Sequence, residues 1–341
     1  MLILVFVFLV VGPWVAWACL LWLGLKWAKA EKVSLTRVLA VTGAAILINI
    51  ALTTLFISLM FAPSAIVFPL GLFLVALMFL LPILVIRRLF QLTTWRSVQA
   101  FLPTLLAPAL CLVINATAIR PFVLEAFVTN ANSMAPTLLG SHWRGTCPQC
   151  QSPIFCTPRD PEELGYEDEP GPLMICENFH TSPPVQALVS DYTVHYADRI
   201  VVTKLQAPQR WDVVAFRYPA APQQTYVMRL VGLPGETIVI KDDGSVFADE
   251  IRLTPPTELQ NIRYESEIPG AFGPHWGTAD RPAELGENEF FVLGDFSANA
   301  ADSRYWNDGA PGHSPYAVPR SHIVGVATHI YWPPARWRSF P

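Results

Sequence analysis

Charged residues are scarce in this sequence: they make up 15% of its 341 residues, against 52% hydrophobic residues, and the formal net charge is only −4. The charges form neither a basic stripe nor a long block of one sign, so no nucleic acid partner is expected. The sequence also lacks a glycine-rich phosphate-binding loop and a paired-carboxylate motif. Neither nucleotide chemistry nor acid–base chemistry by two carboxylates is therefore indicated.

Hydrophobic residues concentrate in the first 120 positions instead of being spread along the chain. The apolar runs are long enough for about 20 helical residues to cross roughly 30 Å of hydrocarbon. A cleaved signal peptide is the alternative for the first run, but that run has no basic start and continues past Ala18 to Leu25. Residues 1–120 are therefore predicted to form four membrane-spanning helices at Leu2–Leu25, Val38–Phe61, Ala65–Ile86 and Ala100–Ile119.

Positive charge distinguishes the connections between these predicted helices. The short connection between the second and third, Ala62-Pro63-Ser64, carries no charge, whereas the other two are basic. Basic loops remain in the cytoplasm, and an even number of spans then places everything after Arg120 on the outer face of a cytoplasmic membrane. The basic residues are Lys26, Lys29, Lys32 and Arg37 in the first connection and Arg87, Arg88 and Arg96 in the third.

Residues 121–341 have a different pattern, in which short β-branched or alternating segments recur between turn residues. This pattern predicts a mainly β extracytoplasmic domain, built as a coiled sheet or partial barrel. A hairpin turn is predicted at Asp242-Asp243-Gly244-Ser245. The predicted strands are Asp198–Leu205, Trp211–Tyr218, Tyr226–Val231, Thr237–Ile240, Phe290–Leu293 and Ile323–Trp332.

One short stretch, Ser133-Met134-Ala135-Pro136-Thr137-Leu138, lies between the last apolar run and the β-patterned tail. Alone it is an ordinary turn, because a serine beside proline is more often structural than catalytic. Downstream follow Asp198–Lys204 (DRIVVTK), Arg210–Phe216 (RWDVVAF), Arg229–Glu236 (RLVGLPGE), and Gly294-Asp295 with Asp302–Trp306 (DSRYW). In this order the segments resemble those of the type I signal peptidase (leader peptidase) family, over about residues 120–332 with two insertions.

The resemblance implies a serine endopeptidase that removes signal peptides from exported proteins at the outer membrane face. Its partners would be preproteins with small residues one and three positions before the cut, and the lipid bilayer on which the domain rests. Catalysis would need no cofactor. Ser133 would be the nucleophile, and its backbone N–H would also donate to the oxyanion. Asp302, Arg304 and Arg229 are expected to support the site structurally.

The general base of this family is a lysine, and the resemblance places Met228 at its position. Methionine has no amine that could accept the serine proton. Lys204 lies on a different predicted strand and Lys241 beside a predicted turn, so neither is an obvious substitute. His195 and His275 are the histidines least constrained by other assignments, and some relatives of the family use histidine as the base.

Other positions depart from the family pattern as well. Ala131 stands where some members have a serine that helps to bind the oxyanion, Phe296 where an asparagine is expected, and Ala300 where a serine would orient the lysine amine. Two alternatives follow. Either the chain is an active signal peptidase with a base from elsewhere, or it is a catalytically impaired relative that binds exported chains or a partner peptidase.

An insertion at residues 140–197 separates the serine stretch from the next family segment. It contains Cys147-Pro148-Gln149-Cys150 and later Cys176 and His180, a set of ligands suited to a structural zinc ion. Cys156 is a rival third ligand, and two disulfides on the outer face are the alternative. Zinc is favoured because two residues between Cys147 and Cys150 form a metal knuckle easily and a strain-free disulfide less easily. Its role would be structural, since so short a loop can hardly bury its own core. A second insertion, residues 254–286, is predicted to lie on the surface.

Overall fold

The computed structural model describes residues 11–31, 33–60, 67–158, 173–182, 189–265 and 275–340. The chain divides into two compact units, Met1–Ile119 and Arg120–Pro341. The first unit is helical and the second is mainly antiparallel β-sheet.

Helices of the first unit overlap the predicted spans. Within the described residues, three helical stretches are long and apolar enough to cross a membrane: Leu35–Ser58, Leu70–Leu89 and Thr94–Phe122. The predicted span Leu2–Leu25 lies partly outside the described residues, and its described part is helical. The helices are α1 (Gly12–Trp27), α2 (Leu35–Met60), α3 (Val67–Leu89), α4 (Thr94–Phe101) and α5 (Ala107–Ile114), with a 3₁₀ turn at Leu102–Leu106, a π turn at Asn115–Ile119 and, in the second unit, the three-residue α6 (Arg120–Phe122).

Close packing of α1 against α4 depends on a glycine. A Cβ atom added at Gly24 would lie 2.0 Å from the carbonyl oxygen of Ala100, so a larger residue would push the helices apart. Leu25 and Val38 are fully buried in the same cluster, whereas Leu47 and Leu72 on other faces are more than half exposed. Large exposed apolar side chains over long helices are the surface expected in a lipid environment.

The largest sheet of the second unit has eight strands, and the pairs within it are antiparallel. Its order is β1-β7-β16-β8-β9-β14-β15, with β17 paired to β16. The strands are β1 (Leu124–Val128), β7 (Arg199–Thr203), β8 (Val213–Tyr218), β9 (Ala221–Gly232), β14 (Glu289–Leu293), β15 (Val318–Pro319), β16 (Ile323–Trp332) and β17 (Arg338–Ser339).

Strand positions follow the hydrophobic pattern. All six predicted strands are present, and the largest difference is that the predicted Tyr226–Val231 is only the second half of β9. Ile200 and Val202 alternate into the core from β7, as expected for a strand with one buried face. The first four residues of β8, Val213–Phe216, are all buried because this strand lies inside the sheet.

A second sheet has four strands in the order β12-β11-β10-β13. Its strands are β10 (Thr237–Ile240), β11 (Val246–Ala248), β12 (Ile251–Arg252) and β13 (Ala283–Glu284). Ile240 pairs with Val246, so the predicted Asp242–Ser245 turn closes this hairpin, and Gly244 takes a positive φ of 76° there.

Segment 254–286 was predicted to lie on the surface, but part of it is buried. Leu259, Ile262 and Tyr264 are buried in the core cluster under the second sheet. They lie on irregular backbone around a short 3₁₀ turn, Thr257–Leu259, where no period of 2 or 3.6 marks buried positions. Residues 266–274 of this segment lie outside the described residues.

The cysteine-containing insertion forms a third sheet, with five strands in the order β5-β4-β3-β2-β6. Trp143, Ile154 and Met174 are buried in a cluster with three of its cysteines. The expectation that so short a segment can hardly bury a core is therefore wrong, because pairing of its strands brings these side chains together. The strands are β2 (His142–Thr146), β3 (Pro153–Cys156), β4 (Met174–Cys176), β5 (Thr181–Ser182) and β6 (Val189–His195).

Candidate active site and metal-ligand cluster

Ser133 lies on a loop, residues 129–139, that leaves the end of β1. The two ends of this loop are joined, because the hydroxyl of Thr129 donates to the carbonyl oxygens of Leu139 at 2.6 Å and Asp198 at 2.9 Å. The Asp198 carboxylate also accepts the Leu139 N–H at 2.9 Å. Ser133 itself is only partly buried. We call residues 129–139 the serine loop. Its two ends are tied together, and Ser133 lies near the surface.

The backbone of the serine loop contacts the turn that follows β14. The Phe296 N–H donates to the Ser133 carbonyl oxygen at 3.0 Å, which fixes the orientation of that peptide group. Gly294 makes the approach possible, because a Cβ atom there would lie 2.7 Å from the same oxygen and 2.3 Å from the Cβ of Ala300. Ala300 and Phe296 are buried, so these two departures from the family pattern lie inside the fold.

Asp302 and Arg304 form a fully buried ion pair that supports this turn. Two Arg304 nitrogens donate to the Asp302 carboxylate at 2.8 Å each, and that carboxylate accepts the Gly294 N–H at 2.9 Å. Burial alone would lower the pKa of Arg304, yet the Asp302 carboxylate raises the pKa above its ordinary value. Arg304 also donates to the Glu265 carbonyl oxygen at 2.6 Å and to Ser297 at 2.9 Å.

A second buried ion pair joins Arg229 to Asp295. Arg229 donates to the two Asp295 oxygens at 2.6 and 2.5 Å and to the Trp211 carbonyl oxygen at 2.6 Å. The Thr137 hydroxyl donates to the same carboxylate, which connects the pair to the serine loop. Burial would lower the pKa of Arg229, but Asp295 raises it. Arg229 therefore remains charged in the protein interior.

Met228 and Ser133 line one cleft of about 450 Å³. Met228 is 3% exposed and pairs with Val214 of β8, while Ser133 comes from the serine loop. Among the described lining residues none is a lysine, histidine, aspartate or glutamate, and Tyr226 is the one with a titratable side chain. The lining is Val128, Thr129, Asn130, Ala131, Ser133, Met134, Leu138, Gln224, Thr225, Tyr226, Val227 and Met228.

The candidate substitutes for the base lie elsewhere. Lys204 donates to Glu125 at 2.9 Å, and the Lys241 ammonium lies 3.9 Å from the ring centroid of Phe247. The His195 ring stacks on the ring of His142 with centroids 5.4 Å apart, and His275 contacts the ring of Tyr305 edge-on with centroids 5.2 Å apart. None of the four candidates is among the described residues that line the cleft.

Two C-terminal arginines contact the serine loop, and the sequence analysis missed them. Arg338 donates to the Thr137 carbonyl oxygen at 2.5 Å, and Arg336 donates to that of Pro136 at 3.2 Å. Arg336 also pairs with the fully buried Asp198 at 2.8 Å. Both arginines lie about 200 positions from the loop in sequence and belong to no motif. Their close spacing, at positions 336 and 338, was the only sequence feature that distinguished them.

The structure brings the predicted metal ligands together. Ligand atoms of Cys147, Cys150, Cys176 and His180 all lie within 4.8 Å of one another. Cys156 is not part of this cluster, and burial raises the pKa of its thiol to about 11. Hydrogen bonds from the Asn178 side chain and, to a smaller extent, from Ser152 lower the pKa of Cys150 to about 5. Burial raises the pKa of Cys176 to about 12.

Comparison with known proteins shows similarity to signal peptidases. Residues 174–332 match the family described as signal peptidase, peptidase S26; this range begins after Ser133. Signal peptidase I of Pseudomonas aeruginosa is 33% identical over 158 residues, which are 39% of this chain and 53% of that protein. Signal peptidase I of Pseudomonas fluorescens is 30% identical over 157 residues, which are 41% of this chain and 55% of that protein.

The chain spans about half the length of these curated relatives. Among solved structures, a signal peptidase I from Enterococcus faecalis has 26% sequence identity and a TM-score of 0.25, and the match covers 36% of this chain and 97% of that one. These matches show that the second unit is similar in sequence to type I signal peptidases.

Proposed function

We propose that the second unit is a serine endopeptidase of the signal peptidase I type, which removes signal peptides from exported preproteins with Ser133 as its nucleophile. One observation carries the proposal: Ser133 and Met228, the residue at the position of the family's base, line the same cleft although 95 positions separate them. This shared cleft supports the proposal, and the side chain at 228 is the departure from the family pattern that lies in the cleft beside Ser133 together with Ala131.

The chemistry would begin with attack of the Ser133 hydroxyl oxygen on the scissile carbonyl carbon. The new C–O bond makes an acyl-enzyme, the amide C–N bond breaks, and the serine proton must reach the leaving amine. The Ser133 N–H would stabilise the oxyanion. The hydrogen bond from the Phe296 N–H to the Ser133 carbonyl oxygen holds the adjacent peptide group in place. Water would then hydrolyse the acyl-enzyme and regenerate the serine.

The cleft suits an extended peptide with small side chains. Val128 at the end of β1 and residues 224–228 of β9 both line it. Within the described residues β1 pairs only with β7, which leaves its other edge available for backbone hydrogen bonds. A preprotein segment could add along such an edge. The small residues before the cut are what the resemblance to the family implies.

Membrane attachment is part of the proposal. The helices Leu35–Ser58, Leu70–Leu89 and Thr94–Phe122, with the partly described first helix, would span a cytoplasmic membrane. The basic loops would lie in the cytoplasm, which places the second unit on the outer face, beside the lipid. Protease accessibility in sealed vesicles tests this: the second unit should be cut in right-side-out vesicles and protected in inverted ones.

A second candidate function follows from the apolar wall of the cleft. With Met228 at the base position and no lysine, histidine or carboxylate among the described lining residues, proton removal from Ser133 has no ordinary general base there. General-base assistance contributes about 10²- to 10⁴-fold to a rate. The alternative is therefore a protein that binds exported chains in this cleft, or binds a partner peptidase, with slow turnover or none.

The test is cleavage of a preprotein by the purified full chain in lipid vesicles, with the new N-terminus identified by mass spectrometry. Wild type is compared with Ser133→Ala, Met228→Lys and the matched apolar control Met228→Leu. We expect slow cleavage by wild type, loss of cleavage in Ser133→Ala, and a rate about 10²- to 10⁴-fold higher in Met228→Lys. Met228→Leu should resemble wild type because it supplies no amine.

The outcomes separate the two candidates. Cleavage that persists in Ser133→Ala overturns the role of Ser133. Signal-peptide binding without cleavage, in wild type and in Met228→Lys alike, supports the binding function and overturns the peptidase.

A further inference from the structure

The four ligand atoms described above lie on two short turns of the third sheet. Cys147 and Cys150 lie on the turn after β2, and Cys176 and His180 lie on the turn from β4 to β5. The first turn is closed by the Gln151 N–H on the Cys147 carbonyl oxygen at 2.9 Å. The second is closed by the Cys176 N–H on the His180 carbonyl oxygen at 3.1 Å. Two independent chain segments thus point their sulfur and imidazole groups at one place.

The distances between these atoms fit a metal ion better than a disulfide. The sulfur atoms of Cys150 and Cys176 are 3.7 Å apart, whereas a disulfide bond is about 2.05 Å long. Two thiolates on one tetrahedral zinc ion, at about 2.3 Å each, are about 3.8 Å apart. The Cys147 sulfur and the His180 Nδ1 atom are 4.0 Å apart, which is close to the separation of two ligand atoms on one zinc ion.

The chemistry of the ligands selects the metal. Three thiols and one imidazole form a closed set of four soft and borderline ligands, which is typical of structural zinc and unlike the oxygen ligands of calcium or magnesium. The Asn178 side-chain amide donates to the Cys150 sulfur at 3.5 Å and to the Ser152 hydroxyl at 3.1 Å. Such a donor stabilises a thiolate and orients it as a ligand.

The same strands that end at this cluster also contact the serine loop. Along a strand successive side chains point to opposite faces. Ile154, Cys156 and Cys176 are buried on the face toward the cluster. The residues between them, Phe155 and Ile175, which pair across β3 and β4, are buried on the other face.

That other face packs against residues next to the nucleophile. Phe155 and Ile175 share a buried cluster with Ala135 and Leu139 of the serine loop, and with Phe296. Phe296 is the residue whose N–H holds the Ser133 carbonyl oxygen. The four residues of β3 and the three residues of β4 therefore lie between the cysteine cluster and the serine loop.

We propose that Cys147, Cys150, Cys176 and His180 bind one zinc ion as a closed structural site, and that this ion fixes β3 and β4 against the serine loop. The metal takes no part in bond breaking, because its four protein ligands leave no open position for a substrate. Its effect on the cleft is positional and passes through Phe155 and Ile175.

Metal content and thiol state of the purified full chain test the site. We expect one zinc ion per chain in wild type, no zinc in Cys147→Ser, and an unchanged ratio in Cys156→Ser, the matched control in the same sheet. Disulfide-linked peptides among these cysteines, or reduced thiols that take up no zinc, overturn the site.

A second measurement covers the case in which Cys147→Ser fails to fold. Zinc is removed from folded wild type with a chelator and replaced by Co²⁺, whose visible spectrum reports tetrahedral thiolate ligands. A spectrum typical of octahedral oxygen ligands overturns the assignment.

Backbone hydrogen exchange tests the link to the serine loop, without reference to any activity. Removal of zinc should speed exchange of the Leu138 and Leu139 amides about tenfold or more, because the packing that protects them loosens. Exchange at Ile240, in the second sheet, should not change, and adding zinc back should restore the original rates. Unchanged exchange at residues 134–139 overturns the positional role and leaves the metal site standing.

Discussion

Two neighbouring residues of β9, Met228 and Arg229, face two differently built regions of the second unit. Arg229 faces the interior, where its guanidinium donates to Asp295 and to a backbone carbonyl oxygen at distances of 2.5 to 2.6 Å. Met228 faces the cleft of Ser133, whose described lining has no lysine, histidine or carboxylate. The charged groups that hold the serine loop in place are thus satisfied, while the position that would handle its proton is apolar. Support of the loop and activation of the serine are separable properties of this fold.

The largest expected effect comes from removing a charge on the interior side. Arg229→Met leaves Asp295 buried without its cation, so we expect the free energy of unfolding to fall by about 3–5 kcal/mol. Chemical denaturation of the purified protein, followed by tryptophan fluorescence, measures it. The double variant Arg229→Met/Asp295→Leu should recover most of the loss, because no uncompensated charge remains. A single variant as stable as wild type would contradict a supporting role for this pair.

The next effect comes from adding a charge on the cleft side. Burial favours the neutral amine in Met228→Lys, so its pKa in the folded state should lie below the ordinary value of about 10.4. The unfolded chain then binds more protons between these two pKa values, and stability rises with pH across that window. The cost at pH 7 is about 1.4 kcal/mol for each unit by which the pKa falls. Unfolding at pH 7 and pH 10 measures it; the Met228→Leu control should show no such pH dependence.

The third prediction concerns His142, a buried histidine on β2, where the cysteine-containing sheet adjoins the serine loop. Burial, with the nearby Arg144, His195 and Arg336, lowers the pKa of His142 to about 4. Its Nδ1 atom lies 2.9 Å from the Gly140 carbonyl oxygen, and its Nε2 atom accepts from Arg144 at 3.1 Å, which requires the neutral ring.

The low pKa of His142 determines how the stability of the folded protein changes with pH. The unfolded chain binds a proton at His142 below about pH 6.5, and the folded chain only near pH 4. Stability should therefore fall as the pH drops through this window, and this contribution should level off below it. Thermal unfolding from pH 7 to 4 measures the slope. His142→Asn keeps a donor toward Gly140 but does not titrate, so its slope should be smaller; an equal slope would assign the effect to other groups.

How far the sequence predicts the structure differs between these regions. The strands of the main sheet were predictable because alternation and β-branched runs mark them, as at Ile323–Trp332, where both bounds agree. The partners of Ser133 were harder. Arg336 and Arg338 reach the serine loop through side chains from the far end of the chain. No local pattern records such contacts, since they depend on how β16 and β17 turn back across the sheet.

The smallest expected effect concerns Lys204, which the sequence places on a different strand from Met228. It pairs with Glu125 at 2.9 Å, and both side chains are partly exposed. Lys204→Gln should change the free energy of unfolding by no more than about 1 kcal/mol, as is usual for such pairs, and Arg120→Gln, which removes the other partner of Glu125, should do the same. Cleavage dependent on Ser133 should also continue in Lys204→Gln, because Lys204 is not among the described residues of the cleft. If cleavage instead disappeared while stability was kept, removal of the Ser133 proton would depend on Lys204, which lies outside the described lining of the cleft. The absence of a lysine, histidine or carboxylate from that lining would then not limit activation of the serine.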